Sequence, residues 1–146
     1  MRLVPMLFTL LCLSSVAAAQ TVTLGKGGKQ VTIAIGDDAK LPADFPADVF
    51  LPANADLQRV QQVDDDALML ELHAAAAPDS IADQYAAAMV VAGWTGARVA
   101  PVPGAIAQAW EKDRRAVLVV AAAEGAGTRL RLQLRARRAA LVPPAG

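Results

Sequence analysis

Between residues 128 and 137 the chain alternates without a break, with Leu130, Leu132, Leu134 and Ala136 at even positions and Arg129, Arg131, Gln133, Arg135 and Arg137 at odd ones. A period of two belongs to the β-strand, whose successive side chains point to opposite faces of a sheet. A helix would scatter the arginines, whereas a strand sets Arg129, Arg131, Arg135 and Arg137 in a row about 7 Å apart. Here, then, the chain builds a sheet with one apolar face and one cationic face.

The same pattern recurs upstream. Leu68, Leu70 and Leu72 alternate with Met69, Glu71 and His73, so residues 57 to 64 and 67 to 75 predict paired strands, with Asp64, Asp65 and Asp66 in the turn between them. Ala116 to Ala123 is apolar throughout and reads as a central strand. Gly96 to Val102 leads through Pro103 and Gly104 into a strand over Ile106 to Glu111, and turns at Lys112 to Arg115 and at Gly125 to Gly127 link the rest. Near the start, Thr21 to Leu24 and Gln30 to Ile35 flank Gly25-Lys26-Gly27-Gly28-Lys29 as a hairpin. That loop does not fit a phosphate-binding one, which needs Ser or Thr after its lysine and meets Gln30 instead.

One helix is predicted over Pro78 to Ala92. Pro78 suits a first helical turn, Ser80 and Asp83 approximate a capping box, and Gly93 supplies the left-handed residue at the end. Its stripe of Ile81, Tyr85, Ala88, Met89 and Ala92 is suited to packing on a sheet, with Trp94 tucked under the helix end.

Residues 36 to 56 fit neither element. Pro-Ala-Asp occurs twice and Pro-Ala-Asn once between Pro42 and Asn54, and each proline pushes the residue before it into extended geometry. Phe45, Val49, Phe50 and Leu51 are too apolar to be left in water, so this segment predicts an ordered strap over one end of the core, or else a docking edge for a partner.

The first 19 residues have the layout of a cleavable secretory signal: Arg2, an apolar run from Leu3 to Val16, and Ala17-Ala18-Ala19 before Gln20. That run falls short of the ~20 residues a membrane-crossing helix needs, so no transmembrane anchor is expected in the mature chain. The expected compartment is the periplasm or the outside of the cell, with one domain over residues 20 to 140 and a tail over 141 to 146. Cys12 is the only cysteine; lipid attachment there is the alternative, against which bulky Leu11 stands where a small residue is expected. With Cys12 removed, disulfides and thiol chemistry drop out.

Charge is segregated along the chain. Residues 37 to 83 hold eleven acidic side chains against Lys40 and Arg59, while residues 98 to 138 hold nine basic ones against Glu111, Asp113 and Glu124. Beyond the leader there is one histidine, His73, one serine, Ser80, and one tyrosine, Tyr85. A Ser-His-Asp set must use a serine expected at a helix cap, and a zinc site of several histidines cannot be built. No catalytic, metal or cofactor residues are expected on this inventory. A carboxylate pair acting on cell-envelope polysaccharide is the rival reading, and nothing in the sequence singles out a pair. The candidate contact surface is the row Arg129, Arg131, Arg135 and Arg137, which suits an anionic glycolipid or an acidic envelope protein. Nucleic acid is not an expected partner, because few aromatics interleave with the arginines.

Asp44-Phe45-Pro46-Ala47-Asp48-Val49, the helix ending in Gly93-Trp94, and Trp110-Glu111-Lys112-Asp113 before an apolar strand together resemble small exported bacterial proteins of unassigned function. The resemblance spans about residues 40 to 137 and implies no functional residues. The expected fold is α+β: an antiparallel sheet of about five to seven strands with one helix on a face. The expected function is a non-enzymatic binding module.

Overall fold

The computed structural model describes residues 22–26, 29–63, 66–99 and 102–136. The expected signal over residues 1–19, the expected tail over 141–146 and Arg137 lie outside them. The strands are β1 (Val22–Lys26), β2 (Lys29–Ile35), β3 (Asp56–Val63), β4 (Ala67–Ala74), β5 (Thr95–Arg98), β6 (Ala105–Lys112), β7 (Arg115–Glu124) and β8 (Gly127–Ala136), and the helix is α1 (Pro78–Val91). The strands form one sheet in the order β1-β2-β3-β4-β8-β7-β6-β5, with every neighbouring pair antiparallel. The chain is thus α+β, with one helix packed against an antiparallel sheet. The count reaches eight because the four-residue edge strand β5 pairs with β6 immediately after the helix.

Register sorts the side chains. On the helix side, Gln108, Val119, Leu132, Leu70 and Val60 stand side by side across five strands, with Trp110, Val117, Leu134 and Leu68 in the next row. Most of these are buried and join Ile81, Tyr85 and Met89 of α1 in one core. Burying such side chains stabilises by about 1.5–3 kcal/mol each, which is what the leucine alternation of β4 and β8 contributes.

Three polar contacts seat the helix. Thr128 Oγ1 donates to the Ala76 carbonyl at 2.6 Å just before α1, the buried Gln108 Nε2 donates to the Ala82 carbonyl at 2.8 Å, and Lys112 Nζ donates to the Ala92 carbonyl at 2.6 Å. A lysine there also suits the negative end of the helix dipole.

At its end, α1 closes as a Schellman turn. Gly93 has φ +85°, its N–H donates to the Val90 carbonyl, and the Trp94 N–H donates to the Met89 carbonyl. This puts Trp94 into the core as expected. The start of the helix corrects the sequence reading. Its N-cap is Ala77, with no side-chain cap, and Ser80 lies inside the first turn accepting a hydrogen bond from Gln84 Nε2. Pro78 at the first position starts the helix without a capping hydroxyl.

At the N-terminal hairpin, β1 reaches Lys26 and β2 begins at Lys29, so Gly25 and Lys26 are strand residues and not part of the loop. Gly27, Gly28, Asp64 and Asp65 lie outside the described residues. The strap begins with a 3-10 turn over Gly36–Asp38. It then crosses the end of the core, where Val49 is buried and Phe45, Phe50 and Leu51 pack against the cluster. That is the covering role its apolar residues predicted.

Candidate functional site

Two arrangements carry the polar chemistry of the described residues. The first is a clamp at Asp48. Lys112 ends β6 and Arg115 begins β7 across a tight turn, so their side chains leave the same sheet end on the helix side. The strap brings Asp48 between them. Its carboxylate accepts from Arg115 Nη1 and Nη2 at 2.7 Å each and from Lys112 Nζ at 2.8 Å. Its backbone carbonyl accepts from Trp94 Nε1 at 2.8 Å, and the Arg115 guanidinium lies 4.9 Å from the centroid of the Trp94 ring. Hydrogen bonding from Arg115 outweighs partial burial and holds the Asp48 carboxyl far below the usual carboxylate range. The same pairing raises the Arg115 pKa.

Asp48, Trp94 and Lys112 all belong to the segments that carry the sequence resemblance. Their spacing in the chain gives no hint of contact; the fold brings them to one point. With its carboxylate committed to two cations, Asp48 fastens the strap and is not positioned as an acid or base.

The second arrangement is the sheet face away from α1. Register places Ala107, Val120, Arg131, Glu71, Arg59 and Ile35 in one line across it. A parallel line holds Ala109, Leu118, Gln133, Met69, Gln61 and Ile33. The arginine strand β8 therefore runs down the middle of this face, with small and apolar side chains of β6 and β7 on one flank and those of β2 on the other. Met69 is 39% exposed and Leu118 37%, both on this face.

Of the four predicted contact arginines, Arg129, Arg131 and Arg135 stand on this face, and Arg137 lies outside the described residues. Two of the three are partly neutralised. Arg131 Nε donates to Glu71 Oε2 at 3.2 Å, and Arg129 pairs with Glu124 and, at 3.9 Å, with Glu71. Pairing with Arg129 lowers the Glu124 pKa and raises that of Arg129. Arg131 still leaves 58% of its side chain to solvent. Arg135 is exposed, and the Gln133 amide, turned to face it, accepts from its Nη2 at 2.6 Å.

The sequence reading missed Arg59, which belongs to the acidic segment but stands across from Glu71 and lines a groove of about 230 Å³ with Arg131 and Met69. The alternation of Arg59 and Gln61 with Val60 was the available signal, and a bulge between Leu57 and Arg59 obscured it.

Among the described residues, no group of three or more His, Cys, Asp or Glu side chains could hold a metal ion. No known protein family, curated protein or solved structure matches the chain.

Proposed function

We propose that this chain is a non-enzymatic binding module acting outside the cytoplasm, and that its sheet face opposite α1 meets an anionic glycolipid of the cell envelope. The supporting observation is the composition of that face: Arg59, Arg131 and Arg135 lie among exposed apolar side chains such as Met69 and Leu118. Guanidinium groups take phosphate oxygens in pairs, and the apolar flanks suit the acyl edge of an amphiphile better than a wholly polar partner. The carboxylate-hydrolase alternative draws no support from Asp48 and Glu124, because arginine pairing lowers the pKa of each, opposite to what a general acid needs.

Co-sedimentation with vesicles containing lipopolysaccharide tests the proposal. Binding should fall as salt rises and should fall further in the double variant Arg131→Glu with Arg135→Glu. If binding ignores both salt and the double variant, the open face is not the contact surface. Recovery of an acidic protein in place of glycolipid would move the assignment to a protein partner.

A further inference from the structure

The sheet face opposite α1 carries a groove on each side of β8. The first, of about 230 Å³, is bordered by Arg59, Gln61, Met69 and Glu71 on β3 and β4 and by Arg131 on β8. The second, of about 260 Å³, is bordered by Ala109, Ala116 and Leu118 on β6 and β7 and by Gln133 and Arg135 on β8. Each groove therefore sets arginine beside an apolar wall.

The two β8 arginines serve different grooves. Arg131 reaches across to Glu71 on β4, donating from Nε at 3.2 Å, while Arg135 borders the groove over β7, where its cross-strand neighbour Ala116 leaves room beside it. Four residues separate them along one strand, which sets their Cα atoms about 13 Å apart. Arg59 stands on the far side of Glu71 from Arg131, two strand spacings or about 10 Å away, so two guanidinium groups flank one carboxylate in the first groove. In the second groove the carboxylate is Glu111, which register places two strands from Arg135. A guanidinium reaches a phosphate oxygen over about 2.8 Å, so one phosphate cannot occupy both places.

We infer that the glycolipid met at this face carries two phosphates on one disaccharide head group, the first seated between Arg131 and Arg59 and the second at Arg135. In the first groove the phosphate takes Arg131 from Glu71, exchanging a single carboxylate contact for a two-pronged one, while Glu71 keeps Arg129 at 3.9 Å. Between the two places the disaccharide crosses β8 at Gln133, where Met69 on one flank and Leu118 on the other are part-exposed and offer apolar surface to the C–H faces of the sugar rings. A head group with one phosphate fills one groove and leaves the other arginine in water. The inference rests on the glycolipid reading of this face and adds to it the number and spacing of the phosphates.

Lipid A, with a phosphate at each end of a glucosamine disaccharide, and its monophosphoryl form differ in the feature at issue. The full chain is titrated with phosphatidylcholine vesicles holding one or the other, the monophosphoryl lipid at twice the mole fraction so that surface phosphate is equal, and bound protein is read by co-sedimentation. The diphosphorylated vesicles should bind about tenfold more tightly, the gain expected from a second charge-assisted contact. Arg131→Gln and Arg135→Gln should each erase most of that preference. Arg98→Gln removes the same charge from the helix side of the sheet, level with Gln108, and should keep it. Equal affinity at matched phosphate overturns the two-phosphate site and leaves the glycolipid reading standing, whereas no binding to either form overturns both. A preference that survives Arg131→Gln and Arg135→Gln also overturns the site, and the comparison in the unaltered chain decides the matter even if a variant fails to fold.

Discussion

Asp48 and Arg115, 67 residues apart in sequence, meet in a two-pronged pair with both contacts at 2.7 Å. The pair is partly shielded, and the Arg115 guanidinium also lies over Trp94, so its geometry is fixed from three directions. Removing the carboxylate strands two cations at the sheet end. Asp48→Ala should therefore lower unfolding stability by about 3 kcal/mol, read as a shift in urea midpoint at unchanged slope.

The same carboxylate sets an acid limit. Its pKa is depressed in the fold, so its contribution is fully present above the unfolded value near 4 and is lost as pH falls toward the folded value. Stability should hold through neutral pH and decline below about pH 4, and the decline should be shallower in Asp48→Asn. Urea titrations across that range check it; an unchanged acid slope in the variant would remove Asp48 from the account.

At the alkaline end the single tyrosine decides. Burial pushes the Tyr85 phenol up, so the neutral form's contribution is intact below the unfolded value near 10 and is lost as pH rises beyond it. Phenolate absorbance should stay absent until the chain unfolds and then rise in step with loss of circular dichroism. A phenol that titrates near pH 10 in the folded chain would show Tyr85 to be in contact with water.

Glu71 restrains the open face, since it touches both Arg129 and Arg131. Glu71→Gln should release Arg131, leave Arg129 on Glu124, and strengthen binding to anionic vesicles by about fivefold, in keeping with roughly 1 kcal/mol for each charge near a charged surface. The gain should vanish at high salt.

Ser80 offers a test in the other direction. Because Ala77 caps α1 and Ser80 accepts from Gln84 on the exposed side, Ser80→Ala should change stability by less than about 0.5 kcal/mol, where loss of a true cap costs about 1 kcal/mol.

Much of the fold was legible because short-range rules governed it. The alternation of β4 and β8 settled which face each side chain takes, and Pro78 and Gly93 bounded the helix within a residue or two. Ser80 misled because a serine two residues past a helical proline looks like a cap in sequence, while the backbone had already turned at Ala77.

The sites were less legible. The arginine row could be seen, but its neutralisation by Glu71 depends on β4 pairing with β8 across 60 residues, and the Asp48 clamp gathers four chain segments. The cross-strand position of Arg59 depends equally on register. Local pattern determines which face a side chain takes; register and long-range pairing determine which neighbour it meets.

The central claim is that the sheet face opposite α1 is the contact surface. Its most direct test follows the side-chain Nε–Hε resonances of Arg59, Arg131 and Arg135 while lipopolysaccharide micelles are added. The account predicts that these three shift together and return as salt is raised, with the amides of α1 unmoved. Shifts confined to α1, or arginine signals that stay in place while the protein binds, would contradict it.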